Sequence, residues 1–408
     1  MAKIAVIGSG IAGLTSAYLL AKNHEVTVYE SNDYLGGHTH THLIEVGGKQ
    51  VWVDTGFIVY NDRTYPNFLR LLQQLGCAGS PTEMSFSVSR AGLEYNGHSI
   101  NTLFAQRSNL LNFNFLRMLR DILRFNKDAQ TIKSDDKRSL GEYLSDEGYS
   151  QTFQEDYLVP MSAAIWSTGD SKVREFPIFP LSRFFVNHGL VSLKNRPQWR
   201  VVVGGSHRYV KALESQIGEV MLSTHVERIQ RRGDHVLVTA GGQKDQYDEV
   251  VIAVHSDHAL NLLDDPSDKE LEIFSAMDYS SNKVTLHTDI SLMPQRKLAW
   301  ASWNYHTRKQ TEKATLTYNM NILSHIETEE QVLVTLNDEG NINPDKIIKT
   351  VCYEHPVFNH GMLASQKRHG EISGVNRTHY CGAYWHYGFH EDGVVSALNV
   401  CKKFGVSL

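Results

Sequence analysis

Three glycines at fixed spacing, Gly8, Gly10 and Gly13, stand between the apolar run Ile4 to Ile7 and a stretch from Leu14 to Ala21 whose apolar residues recur at helical spacing. Val26 to Tyr29 reads as a second strand, closing at Glu30. The chemistry open to such a set is dinucleotide binding. Gly8 permits a tight turn, Gly10 lets the backbone approach a pyrophosphate, and Gly13 lets helix and strand pack closely. The helix opening at Ile11 and Ala12 presents unpaired N–H groups and a positive dipole end to phosphates. Glu30 falls where a carboxylate accepts hydrogen bonds from an adenosine ribose. A lone glycine triplet would suit many turns; the order strand, turn, helix, strand, acid within about 30 residues is what makes it specific.

Further glycine motifs follow. Leu35-Gly36-Gly37-His38 comes a short loop after Glu30, and the paired glycines allow a second close backbone approach. Val53-Asp54-Thr55-Gly56-Phe57 alone would read as a strand end with an Asx turn. At the carboxyl end a strand, Thr378 to Cys381, precedes Gly382-Ala383-Tyr384-Trp385, then Gly388-Phe389-His390-Glu391-Asp392-Gly393, then a helix expected over Val394 to Lys402.

In this order the motifs resemble the FAD-dependent amine oxidase, protoporphyrinogen oxidase and phytoene desaturase superfamily. The resemblance spans nearly the whole chain and is strongest at residues 4–61 and 378–401. It implies FAD as cofactor, with Gly36, Gly37 and His38 beside its ribityl and phosphate groups; many relatives carry Arg where His38 stands. It also implies that Thr55, Gly56 and Phe57 pass close to the isoalloxazine, and that Val226, opening a strand to Ile229, lies against adenine. Gly382, Trp385, Gly388, Asp392, Gly393 and Val394 would form the closing wall, Asp392 or Glu391 holding ribitol hydroxyls or merely capping the last helix. The segments LGGHTHT, VDTGFIVYN, AAIWS, SWNY and GFHEDG are similar to a group of bacterial NAD/FAD-binding proteins often encoded beside cyclopropane-fatty-acid-synthase-like methyltransferases.

The same resemblance supplies candidates for the reacting end. Lys283 precedes the apolar strand Val284 to Thr288, where amine oxidases place a lysine bonded through water to flavin N5; a solvated strand edge explains it equally well. By the two-residue period Lys283, Thr285 and His287 share one strand face. Trp303, Asn304 and Tyr318 belong to short motifs like the group's, and Phe389 falls where amine oxidases place a cage tyrosine. The implied reaction is hydride transfer from a substrate C–H bond to flavin N5. An unsaturated or methyl-branched acyl chain is the favoured substrate, and an amine, whose acidic anchor is not identifiable, the runner-up. A flavin isomerase and a non-catalytic lipid or partner carrier on the same fold are the rivals of other classes.

The elements that must position these residues form an α/β protein. A Rossmann-like FAD-binding domain of glutathione-reductase type, discontinuous, is expected from residues 1–75, 198–265 and 351–408, with an α+β substrate domain from 76–197 and 266–350. The latter is rich in aromatics (Trp166, Phe184, Phe185, Trp199, Trp300, Trp303, Tyr305 and Tyr318) able to wall an apolar pocket or fill an ordinary core. Residues 109–127 read as a basic amphipathic helix with Leu111, Phe115, Met118, Leu119 and Ile122 on one side and Arg117, Arg120, Arg124 and Lys127 on the other. Such a helix can rest on an anionic bilayer or pack on its own domain.

Composition bounds the rest. The 408 residues, 41% hydrophobic, suffice for two domains. A formal net charge of -5 with interspersed signs gives no reason to expect nucleic acid. Cys77, Cys352, Cys381 and Cys401 lie far apart, as suits a reducing compartment, and the 20 histidines show no metal-ligand spacing, so no metal is expected. No apolar run nears the roughly 18 residues that span a bilayer. A cytoplasmic protein, with membrane association as a variant, is therefore expected; oligomeric state is left open.

Overall fold

The computed structural model describes residues 1–307 and 315–408. In both β1 (Lys3–Ile7) and β2 (Glu25–Tyr29) four of five residues are buried, leaving neither strand a solvent face. Such continuously apolar strands belong inside a parallel sheet covered on both sides. They pair in parallel, and the full order is Glu219–Met221, β2, β1, Glu249–Ile252, Thr378–Tyr380, every neighbour parallel. Three distant stretches of chain thus build one sheet, the discontinuous Rossmann-like arrangement expected. Helix α1 (Ile11–Leu20) is buried along all ten residues because the C-terminal helix (His390–Lys403) lies against it. Full burial of Leu14, Leu19 and Leu20 there contributes about 2 kcal/mol each.

The second unit rests on a seven-stranded sheet, ordered Ile347–Pro356, Tyr279–His287, Leu333–Leu336, Thr315–Asn319, Trp303–Thr307, Phe86–Arg90, Leu93–Asn96. Trp303–Thr307 and Phe86–Arg90 run parallel; the other neighbours are antiparallel. One face carries Phe86, Val88, Trp303, Tyr305, Leu316, Tyr318, Val284 and Leu336; the other carries Ser87, Asn304, Thr317, Thr335 and Thr285, polar yet buried. The latter face satisfies itself in part: Thr335 Oγ1 lies 2.8 Å from Thr317 Oγ1 and 2.7 Å from His287 Nε2. Ile347–Pro356 pairs along its length with Tyr279–His287, so the boundary drawn at 351 cuts through a strand of the substrate sheet.

α2 (Pro66–Gln74) has Pro at its start, where the missing N–H costs nothing, and buries Phe68, Leu71 and Leu72 in the core of the first unit, against the C-terminal helix. α3 (Ile100–Leu103) is a single turn capped by Ser99, and α4 (Phe113–Thr131) starts after Asn112, whose side chain accepts from the Phe115 N–H. The helix therefore begins later than the expected 109. Its inner stripe of Phe115, Met118, Phe125 and Ala129 packs on its own domain, while Leu111 stays outside the helix and exposed. No helix among the described residues is long and apolar enough to cross a membrane.

Candidate active site

The N-terminus of α1 has no side-chain cap and no acid in its first turn, so its leading N–H groups lack local partners. This helix end opens into a cavity of about 1350 Å³, larger than the roughly 300–1,000 Å³ of a single small-molecule pocket. A Cβ built on Gly10 would meet nothing within 4 Å; it would stand in the cradle facing the helix end. A Cβ on Gly13 would instead collide with the Gly8 carbonyl oxygen, which shows how closely strand and helix approach. The Gly36 N–H donates to Ser9 O at 3.1 Å, bringing the second glycine loop against the first. The Glu30 carboxylate accepts from Ser9 N at 3.0 Å and from Asn32 N and Nδ2 at 2.8 Å each, which fixes it at the cavity wall. These features fit a dinucleotide.

Of the expected cofactor residues, Gly8, Gly10, Ile11, Ala12, Glu30, Gly36, Gly37, His38, Thr55, Gly56, Phe57, Val226, Gly382 and Gly388 line this one cavity. Asp54, which precedes Thr55, lies outside the cavity; buried, with its carboxyl pushed up to about 6, it accepts from Ser206 N at 3.0 Å and ties the hairpin before it to the start of the helix His207–Glu214.

Five expected residues sit elsewhere. Gly13 is the packing glycine just described. The last helix begins at His390, four residues earlier than expected, so Asp392 and Gly393 lie in its first turn. Asp392 accepts from the Phe389 N–H at 2.9 Å and faces a second depression beside Arg63 and Tyr65, with burial pushing its carboxyl up to about 7. Its neighbour Glu391 accepts from Asn67 N at 3.0 Å and Phe68 N at 2.8 Å, capping α2. Both acids are thus helix caps, and neither lines the large cavity. Gly393 lies against Ile11, where a Cβ would come within 2.6 Å of Cγ2, and Val394 is fully buried beside α1. Trp385 lies behind the wall, packed on His369 and Phe274.

His38, His255, His355 and His390 stand around the cavity, each lowered from the ordinary imidazole value by burial. The His38 ring stacks on Tyr353 at 5.0 Å and lies 5.2 Å from His355 and 6.1 Å from His255. Burial, then the neighbouring imidazoles, lower His38 and His255 to about 4 and His355 to about 3. His390 is lowered by burial as well; it stacks on Phe57 at 3.5 Å and meets Tyr209 Oη at 2.6 Å.

Beyond the cofactor residues the cavity is walled by aromatics. Trp303 and Tyr318, cross-strand partners, stand edge to face at 5.0 Å, and Phe389 stacks on Phe184 at 4.7 Å. Trp303 and Trp166 line the cavity, and the Nε1 of each is buried without a hydrogen-bond partner among the described residues. Of the other aromatics singled out, Trp199 also lines the cavity, whereas Phe185, Trp300 and Tyr305 do not. The structure does not bring Lys283 and Asn304 to the cavity. Val284 lines it, and by strand alternation its neighbour Lys283 turns to the opposite face, where it is exposed. Asn304 is buried on that same far face, its Nδ2 donating to Ala301 O at 2.6 Å and Thr317 O at 3.1 Å. Lys283→Met is therefore expected to leave flavin content and kcat within about twofold of wild type, since surface substitutions away from such features usually shift stability by no more than about 0.5 kcal/mol. Trp303→Ala is expected to lower kcat/KM at least tenfold, about 1.4 kcal/mol. Steady-state kinetics on both variants checks the pair.

Sequence reasoning missed contributors that only the fold assembles. Phe86 and Tyr95 come from the edge of the substrate sheet, Tyr157 and Met161 from the helices above it. Glu83, also in the wall, lies 3.8 Å from His98 and accepts from the Ser85 hydroxyl. The spacing His255-x-x-His258 went unread; one helical turn brings ligand-type atoms of His255, Asp257 and His258 within 4.8 Å of one another at the cavity rim.

The sequence profile of the flavin containing amine oxidoreductase family matches residues 11–336. A Mycobacterium tuberculosis protein assigned as a flavin-containing monoamine oxidase, AofH, is 26% identical over 279 residues, covering 64% of this chain and 59% of that protein. This chain therefore matches less than two thirds of that relative's length. A 1-hydroxycarotenoid 3,4-desaturase of Flavobacterium sp. is 43% identical over 76 residues, 18% of this chain and 14% of that one. Among solved structures, a fatty acid isomerase from P. acnes superposes with a TM-score of 0.71 at 14% identity, covering 99% of this chain and 98% of that one. Cyclohexylamine oxidase from Brevibacterium oxydans superposes at 0.70 with 15% identity and 99% coverage of both. At those identities the likeness is one of fold.

Proposed function

This chain belongs to the flavin containing amine oxidoreductase family, and from that premise we propose that it is an FAD-dependent oxidoreductase acting on a C–H bond of an apolar, acyl-type substrate. FAD, when bound, supplies the hydride acceptor. The glycine turn, the α1 N-terminus and Glu30 are the residues that would hold its dinucleotide half. Trp303, Tyr318, Phe184 and Phe389 orient the substrate and exclude water from it. The observation that carries the substrate class is this aromatic and aliphatic wall, continuous with the dinucleotide cradle in a single cavity. An acyl substrate partitions into bilayers, so the reading includes peripheral contact between this chain and a membrane.

One observation favours amine oxidation as a second reading: Glu83 places a carboxylate in the wall, where a substrate ammonium would find a partner. The experiment that separates the two is spectroscopic. The purified protein is expected to show flavin absorption that dithionite bleaches. In a separate anaerobic sample of oxidised protein, a detergent-dispersed monounsaturated acyl chain is expected to bleach the same bands, and a primary amine to leave them unchanged. Bleaching by the amine alone would replace the first reading with the second.

A further inference from the structure

Exposed apolar side chains are not spread evenly over this molecule. Of the 18 large ones exposed among the described residues, six (Ile100, Leu110, Leu111, Phe113, Leu116 and Leu123) fall within residues 100–123. Leu111 is 93% exposed, Ile100 81% and Phe113 75%, side chains projecting outward at a tip. Such clustering marks an interaction surface, whereas scattered single residues need no explanation. The tip is built rather than frayed. Ser99 caps α3, Asn112 caps α4, and Arg107 joins the turn Arg107–Leu111 to α3 by donating to Asn101 O at 3.3 Å and Phe104 O at 2.9 Å.

The exposed charge between residues 97 and 127 has one sign. Arg107, Arg117, Arg120 and Lys127 are exposed, and the one acid there, Asp121, is buried, accepts from the Ser150 N–H at 3.0 Å and lies 4.0 Å from Arg120. Arg107 donates to neutral oxygens and makes no ion pair among the described residues. On α4 the exposed residues include three apolar and three basic ones: Phe113, Leu116, Leu123, Arg117, Arg120 and Lys127. Protruding leucine, isoleucine and phenylalanine ringed by arginine match the interface of an anionic bilayer, where the apolar groups enter the acyl boundary and the bases meet lipid phosphates.

The tip also adjoins the cavity. Tyr95, Gly97 and His98 line it, and Ser99, next in the chain, starts the tip. We propose that residues 100–123 dock this protein on an anionic membrane surface, with Leu111 and Phe113 as the inserted residues, so that the cavity receives its substrate from the bilayer. This rests on the acyl-substrate reading for its purpose, though not for its geometry.

Co-sedimentation with vesicles tests it. Wild type is expected to pellet with vesicles of equimolar phosphatidylcholine and phosphatidylglycerol, weakly with phosphatidylcholine alone, and less as salt rises. Leu111→Gln with Phe113→Gln is expected to weaken binding at least about tenfold, and Arg117→Glu with Arg120→Glu about tenfold on the anionic vesicles. Both double variants should keep the wild-type flavin spectrum, since none of the four residues touches the cavity. Wild type that ignores anionic vesicles, or a Leu111/Phe113 variant that binds as well as wild type, overturns the docking surface. So does a wild-type dimer in sedimentation that this variant turns into monomer, which would make the tip an interface between copies. Flavin bleaching by detergent-dispersed acyl chains is read separately, so failure of the substrate and failure of the surface are distinguishable.

Discussion

Gly10→Val is expected to purify as a folded, colourless protein that takes up no added FAD. Gly10 sits at φ -62° and ψ 175°, extended backbone that any residue adopts, and a Cβ there meets nothing within 4 Å. The added Cβ therefore meets no clash within the chain. Its cost to folding is that of an unfavourable N-cap residue, about 1 kcal/mol. The branched side chain stands in the cradle at the α1 N-terminus, and the phosphate can no longer reach the helix N–H groups. FAD affinity is expected to fall at least a thousandfold, about 4 kcal/mol. Because bound ligand itself raises stability, the melting comparison is with wild type stripped of flavin. Against that reference the variant should melt within about 3 °C.

Gly13→Val gives the contrasting result. Its Cβ would collide with the Gly8 carbonyl, inside the contact between the first helix and the central strand. It is expected to fail to fold, placing it among the rare substitutions that cost more than about 4 kcal/mol. One motif thus contains a glycine needed by the ligand and a glycine needed by the chain. A Gly10→Val protein that retained stoichiometric FAD would contradict the cofactor assignment.

The difference between those glycines shows what could be read from sequence. The cradle is local: turn, helix end and Glu30 lie within 30 residues, and backbone geometry alone fixes their relation. The terminal segment was legible as strand, glycines and helix, yet its helix start was misplaced. Gly393 reads as a loop residue until Ile11, almost 400 positions away, is seen to require its small size. Lys283 shows a similar limit. Strand alternation correctly groups it with Thr285 and His287, but which face meets the cavity is decided by Leu336 and Val351 pairing with Val284. Phe86, Tyr95, Tyr157 and Met161 carry no motif, because a wall assembled from separate elements leaves no spacing signal.

The histidines around the cavity predict a loss of stability and flavin in mild acid. Their sign is fixed by the direction of their displacement. A histidine free in the unfolded chain protonates near 6.5, whereas His38 and His255 are lowered to about 4 and His355 to about 3. Between those values the unfolded chain binds protons that the folded one refuses, so the contribution is complete above 6.5 and is lost as pH falls toward 4. His355 has a structural reason to stay neutral besides burial. Its Nδ1 faces the Asn282 side-chain N–H at 3.0 Å, and Asn282 is oriented by accepting from Asn337 Nδ2 at 2.8 Å. An imidazolium there would set donor against donor. His255, nearest solvent and 3.5 Å from Glu354, should protonate first and carry the smallest share. Discounted for their partial exposure, the three rings together are worth roughly 3–5 kcal/mol by pH 4, a large part of ordinary domain stability. Flavin fluorescence, quenched when bound, is expected to appear along a curve steeper than one proton, with its midpoint between pH 6 and 4. His355→Gln keeps a hydrogen-bonding side chain and removes the proton site, so it should shift that curve to lower pH. A midpoint unmoved by that substitution, or flavin retained to pH 4, would show that the neutral rings do not govern it.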